Sequence, residues 1–207
     1  MMDNVKQAIL TGKLKKIEGI VQEALEAGLA PVEILNAMIS TMDEVGEKFQ
    51  NNEIFVPEML VAALTMKKGV ANLKPLLAGE DTNSYGKFII GTVEGDLHDI
   101  GKNLVALMVE SAGFEVIDLG VDVPPAKFVE AIKENPDCKV VGVSALLTTT
   151  MQAMKNTVAA IEEAGLKDQV KIMVGGAPIT PEFAAEIGAD AFTPDAGSAA
   201  AKAKELV

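Results

Sequence analysis

The chain is poor in the residues that most often announce a chemistry. One cysteine, Cys138, stands in 207 residues, which excludes an internal disulfide framework and any metal site built from several thiolates. There is no tryptophan, and aromatics make up 4%, too few for the stacking platforms that bind single-stranded nucleic acid. Positive charge is also short: 18 Lys and Arg against 30 Asp and Glu leave a net charge of −12. Phosphate backbones repel such a surface and no basic stripe relieves it, so nucleic acid is not an expected partner. No apolar run approaches the roughly 18–20 residues of a membrane span, although mean hydropathy is +0.26. The N-terminus MMDNVKQAIL lacks the charged and apolar regions of a secretory signal. These absences point to the cytoplasm and away from a membrane. Histidine is nearly absent too, with His98 alone.

What is present falls into two parts. Residues 1–78 read as helix: Leu14, Ile17, Val21 and Leu25 recur at helical spacing, Gly28 stops them, and Pro31 opens a second stripe. That stripe carries Ile34, Leu35, Met38, Met42, Val45 and Phe49. After the polar break Gln50-Asn51-Asn52, a last long helix starts near Val56-Pro57 with Leu60, Ala63, Leu64, Val70 and Leu73. Short breaks between amphipathic helices imply an N-terminal four-helix bundle. Residues 79–86 are polar and aperiodic and read as a linker. From 87 to 207 short β-branched runs (88–93, 114–119, 139–143, 170–174, 190–192) alternate with helical stretches (100–112, 125–134, 149–164, 181–187, 196–206). Continuous apolar strands separated by helices imply an α/β, Rossmann-like domain with a five-stranded parallel sheet in the flavodoxin-like order.

An open sheet of this kind binds ligands beyond the carboxyl ends of its strands, where the strand order reverses. The segments that follow the strands are therefore the candidates. They are Glu94 to Asn103, Ser144 to Thr150, Gly175 to Pro178 and Thr193 to Gly197. The single histidine, a run of hydroxyls and a glycine pair thus converge on one edge.

Asp96 and His98 lie two apart on a loop, where their side chains can meet. A metal-ligating histidine commonly donates its other ring N–H to a carboxylate, and a hydroxyl from 144–150 could extend the chain. One histidine without a cysteine cluster cannot hold zinc or iron alone, so a metal here must arrive already coordinated, as in a corrin ring. Gly101, Gly175 and Gly176 leave room for a bulky ligand near backbone. Each feature has an ordinary reading as well. Asp-x-His is commonly a solvated or capping pair, Gly-Gly a turn, and Asp99, Thr148 or Thr149 a helix cap. The bundle methionines read as core.

Asp96-x-His98-x-x-Gly101, Ser144-x-Leu146 and Gly175-Gly176 resemble the cobalamin-binding signature of methionine synthase and its relatives. So do Gly95 to Asn103 and Asp118 to Pro124. The resemblance covers nearly the whole chain and is strongest to the stand-alone corrinoid proteins that serve methyltransferases. It implies a bound cobalamin or related corrinoid, carried as methylcobalamin, with His98 as lower cobalt ligand and Asp96 as its carboxylate partner. Thr150 stands where methionine synthase has a serine. It further implies Gly95, Leu97, Asp99, Ile100, Gly101, Leu146, Ser144, Thr148, Gly175 and Gly176 at the cofactor. The helical part would face it with Met59 and Ala63, or with Phe55, Ala62 or Met66. The implied role is a methyl carrier between a substrate-specific methyltransferase and an acceptor methyltransferase, maintained by a reductive activation protein. The small subunit of a radical mutase and a cobalamin sensor share the motif; the first normally lacks a helical bundle and the second carries a DNA-binding domain.

Overall fold

The computed structural model describes residues 1–77 and 85–207. The chain forms two compact units, one built on the first of these stretches and one on most of the second. The expected linker, 79–86, lies outside the described residues up to position 84.

The first unit comprises α1 (Met2–Leu10), α2 (Ile17–Glu26), α3 (Pro31–Gln50) and α4 (Val56–Leu73), the last running into a 3-10 turn at Lys74–Leu76. Pro31 occupies the first turn of α3, and the Glu33 carboxylate accepts the Ala30 amide at 3.3 Å. Glu58 accepts the Phe55 amide at 3.1 Å in the same way. Both contacts satisfy an amide that a helix start leaves without a partner. The buried face of α3 carries Ile34, Leu35, Met38, Met42 and Val45 as its period implies.

On α4 the buried face differs from the expected stripe: it holds Met59, Ala62, Ala63, Thr65, Met66, Gly69 and Leu73, while Leu60 and Leu64 are exposed. The reason is close approach of the helices. A Cβ on Gly69 would lie 2.6 Å from Met38 Cε and 2.9 Å from Ile17 Cγ1. Small residues therefore face the core, and hydropathy alone misplaces the stripe. Leu14 likewise precedes α2, whose buried residues are Ile17, Val21 and Ala24.

The second unit is an α/β layer structure. Its strands are β1 (Lys87–Thr92), β2 (Glu115–Asp118), β3 (Cys138–Ser144), β4 (Lys171–Gly175) and β5 (Ala191–Phe192), in the order β2-β1-β3-β4-β5 and parallel throughout. The helices α5 (Ile100–Ser111), α6 (Pro125–Glu134), α7 (Met151–Glu163), α8 (Pro181–Glu186) and α9 (Ala196–Glu205) connect and follow them. Ile89, Val141 and Ile172 on one face pack with Phe128, Met154, Val158 and Ile161 from the helices. Alternation sends Phe88, Ile90, Val140 and Met173 to the other face, where they are also buried. Burial on both faces is what a continuous apolar strand requires.

Strand order reverses between β1 and β3. Their register, continued to β4, aligns Thr92 with Ser144 and Ser144 with Gly175. Two hydroxyls and a glycine thus end three neighbouring strands in one row, and the loops after them share one edge. The expected helix at 149–164 begins as a 3-10 turn at Thr148–Thr150 and becomes α7 at Met151.

Candidate functional site

The loop after β1 is held before any ligand is considered. The Val93 amide donates to Ser144 O at 3.0 Å and the Asp96 amide to Val93 O at 3.1 Å. From the neighbouring loop, the Asp122 amide donates to Asp96 O at 2.9 Å, and the Gly95 amide returns a bond to Asp122 Oδ1 at 2.7 Å. Asp122 adopts a left-handed backbone (φ 54°), a conformation that aspartate tolerates better than most residues.

Asp96 is the centre of the site. It is fully buried, and both of its oxygens are engaged. Oδ1 faces His98 Nδ1 at 2.7 Å and accepts the His98 amide at 3.1 Å. Oδ2 accepts the Leu146 amide at 2.7 Å, the Leu147 amide at 3.3 Å and the Thr150 hydroxyl at 2.8 Å. The Thr150 hydroxyl also lies 2.9 Å from Leu147 O; its single proton favours the carboxylate, because a charged acceptor makes the stronger bond. Burial by itself would raise the Asp96 pKa. The bonds from the Leu146 amide, the His98 ring, the His98 amide and Thr150 outweigh it and hold the carboxyl well below the usual carboxylate range.

An ionised Asp96 can only accept a hydrogen bond, so Nδ1 carries the proton and Nε2 is the nitrogen whose lone pair is left for a ligand. The His98 side chain is 50% exposed, unlike its partner. Four exposed apolar residues belong to the same two loops: Leu97 and Ile100 close to it in the chain, and Leu146 and Leu147, whose amides hold Asp96. Leu97 is 72% and Ile100 84% exposed, an arrangement that a bare loop gains nothing from and that a flat apolar ligand would cover. Among the described residues no group of three His, Cys, Asp or Glu side chains could hold a metal ion. A metal meeting His98 therefore needs its other ligands from elsewhere. One imidazole nitrogen, exposed apolar residues on the same loops and, among the described residues, no cluster of metal-holding side chains fit a cobalt already enclosed in a corrin.

The remaining candidates sort by position. Gly95 and Asp99 lie on the loop; the Asp99 carboxylate accepts Asn103 Nδ2 at 3.1 Å, and its carbonyl accepts the Asn103 amide at 2.7 Å at the start of α5. Gly101 meets nothing within 4 Å, so its side is open. Ser144 ends β3, and Thr148 is exposed in the 3-10 turn. Gly175 and Gly176 follow β4, and their smallness serves the fold first. A Cβ on Gly176 would fall 1.8 Å from Ala145 O, and one on Gly175 3.1 Å from Thr193 O. Met59 and Ala63 are fully buried on α4, Ala62 and Met66 nearly so, while Phe55 is exposed.

The roles of four residues escaped the reading of the sequence. Thr92 donates its hydroxyl to His98 O at 2.9 Å. Asp122 pins Gly95, and Lys102, almost fully buried at the start of α5, pairs with Asp118 at the end of β2. A hydroxyl closing an apolar strand was the available signal for Thr92. Lys102, Asp118 and Asp122 lie in segments already singled out, without roles.

Comparison with known proteins adds the rest. A B12 binding domain family matches residues 86–203, and a second family described as a B12 binding domain matches residues 1–74. The dimethylamine corrinoid protein of Methanosarcina barkeri is 44% identical over 210 residues, covering 100% of this chain and 97% of that protein. The trimethylamine corrinoid protein of the same organism is 46% identical over 202 residues, covering 96% and 93%. Among solved structures, the methanol:cobalamin methyltransferase complex of Methanosarcina barkeri contains a chain that matches with a TM-score of 0.86 and 28% identity. The match covers 98% of this chain and 77% of that one.

Proposed function

Since this chain belongs to the B12-binding family of corrinoid proteins, we propose that it is a methyl carrier whose bound corrinoid would be held by His98 as a ligand to cobalt. When bound, the corrinoid's cobalt supplies a centre that can take up and release a methyl group. The chain's own residues do the rest. His98 offers Nε2, Asp96 holds the proton at Nδ1 and with it the ring's orientation, and Thr150 and the Leu146 and Leu147 amides keep Asp96 ionised. Leu97, Ile100, Leu146 and Leu147 are exposed apolar residues that would shield the bound cofactor from water. Gly95, Asp99, Gly101, Ser144, Thr148, Gly175 and Gly176 lie in the loops or strand ends of the same edge and would border the bound cofactor.

The carrier is served by a methyltransferase that charges it and a second that discharges it, and a reductive activation protein restores it after oxidation. A methylated amine is the methyl source best supported: proteins named for dimethylamine and trimethylamine are 44% and 46% identical, against 28% for the methanol complex.

The single observation that carries this reading is the 2.7 Å contact of the only histidine with a fully buried, ionised carboxylate. It is tested by reconstituting the protein with methylcobalamin and comparing its visible spectrum with that of His98→Ala. A histidine-coordinated spectrum is expected in the parent and a histidine-free one in the variant. Identical spectra overturn the assignment of His98.

A further inference from the structure

We infer that Thr92 is a positioning residue for the proposed cobalt ligand, its hydroxyl fixing the His98 backbone so that the ring is presented from one place. The inference rests on the reading of His98 as that ligand.

Thr92 is the last residue of β1 and is fully buried. Phe88, Ile89, Ile90 and Gly91 before it are apolar and buried. A valine would fill the same volume, and a buried hydroxyl is costly unless it is paired. The pairing is with His98 O, six residues on, at 2.9 Å. The backbone of Thr92 is fixed on both sides: its amide donates to Gly120 O at 3.0 Å and its carbonyl accepts the Val123 amide at 3.0 Å. Branching at Cβ restricts χ1, so the hydroxyl is a rigid extension of the sheet.

Among the described residues, the other hydrogen bonds of His98 both go to one atom. The ring meets Asp96 Oδ1 at 2.7 Å and the His98 amide meets the same oxygen at 3.1 Å. Two bonds to one oxygen restrain the ring's direction weakly, and a side chain that is 50% exposed is little held by packing. Thr92 grips the opposite end of the residue, at the carbonyl, from the sheet rather than from the loop. Two separated anchors define a direction for the ring where one does not, and a preorganised ligand binds with less loss on ordering.

The test compares the parent, Thr92→Val and Thr92→Ser as full chains loaded with methylcobalamin. It reads the ratio of histidine-coordinated to histidine-free cofactor from the visible spectrum. Loss of one neutral hydrogen bond sets the expected fall at about fivefold in Thr92→Val, with Thr92→Ser recovering most of it. Proton NMR of the cofactor-free protein gives a second readout, since the single imidazole needs no assignment. Its ring signals are expected to broaden or multiply in Thr92→Val and to keep the parent's form in Thr92→Ser. An unchanged ratio in a folded Thr92→Val, an equal loss in both variants, or a lowered melting temperature with ratio and ring signals intact overturns the positioning role. If the parent already shares the spectrum of His98→Ala, the ligand assignment itself fails and takes this inference with it.

Discussion

Asp96 shows how a charge is made tolerable in an interior. An isolated buried carboxylate would take up a proton, because desolvation penalises the ion. Here four N–H or O–H donors besides the ring converge on two oxygens, and the ion is favoured. Cys138 is the contrasting residue. Its thiol is fully buried at the start of β3, donates to Val140 O at 3.4 Å, and burial pushes its pKa up to about 11. The folded pKa lies above the unfolded one. The corresponding stability is therefore present below about pH 9 and lost as pH rises through about 11. Urea melts of the parent at pH 8 and pH 10.5 are expected to differ by up to roughly 2 kcal/mol more than those of Cys138→Ala. An equal loss in both would show that burial does not suppress the thiolate. Asp96 and His98, two apart, were legible as a pair. Thr150, 54 residues from Asp96, was one hydroxyl among several until the family signature singled it out.

At the scale of elements, the site is a product of the switch point. The loop after β3 must pass close to the start of the loop after β4, and Gly176 is where they meet. With φ at +128° and Ala145 O 1.8 Å from any Cβ, Gly176→Ala forces backbone apart. It is expected to cost more than about 3 kcal/mol in urea unfolding. Because Ala145 is followed by Leu146 and Leu147, whose amides hold Asp96, it should also weaken corrinoid binding. Gly101→Ala is the control. It has open space on its side and lies within α5, so its stability should be unchanged or higher by about 0.5–1 kcal/mol. A large loss there, or none in Gly176→Ala, would refute the distinction. The start of α7 follows the same logic. The Thr150 hydroxyl stands at the helix start but caps no amide; it donates to Asp96 instead, and a 3-10 turn precedes the helix. Periodicity located that helix and could not see its altered first turn.

For the molecule as a whole, a ligand that binds only the folded sheet unit stabilises it by mass action. With methylcobalamin at a hundredfold excess over its Kd, the gain is about 2.7 kcal/mol. The expected result is a rise of several degrees in the melting temperature of the transition that reports on residues 85–207. The two compact units make a single two-state melt an unsafe reading, so fluorescence of Tyr85, the one tyrosine, stacked on Phe114, is the probe to follow. A corrinoid that binds without raising that transition would mean that the sheet unit is not where it binds. Among the described residues no helix is long and apolar enough to cross a membrane.

The sequence by itself determined the parallel α/β order, the helical first part and the loop that carries Asp96 and His98. Hydrophobic period, β-branched runs and short separations are local properties, and a sequence displays them directly. Only the tertiary structure decided that Asp96 would be met by Leu146, Leu147 and Thr150, Gly95 by Asp122 and His98 by a strand hydroxyl. It also decided that α4 would turn alanines and a glycine inward in place of two leucines. Those outcomes depend on which strands become neighbours, in what register and at what approach. They are set by the summed packing of the whole sheet or bundle, and no residue carries them alone.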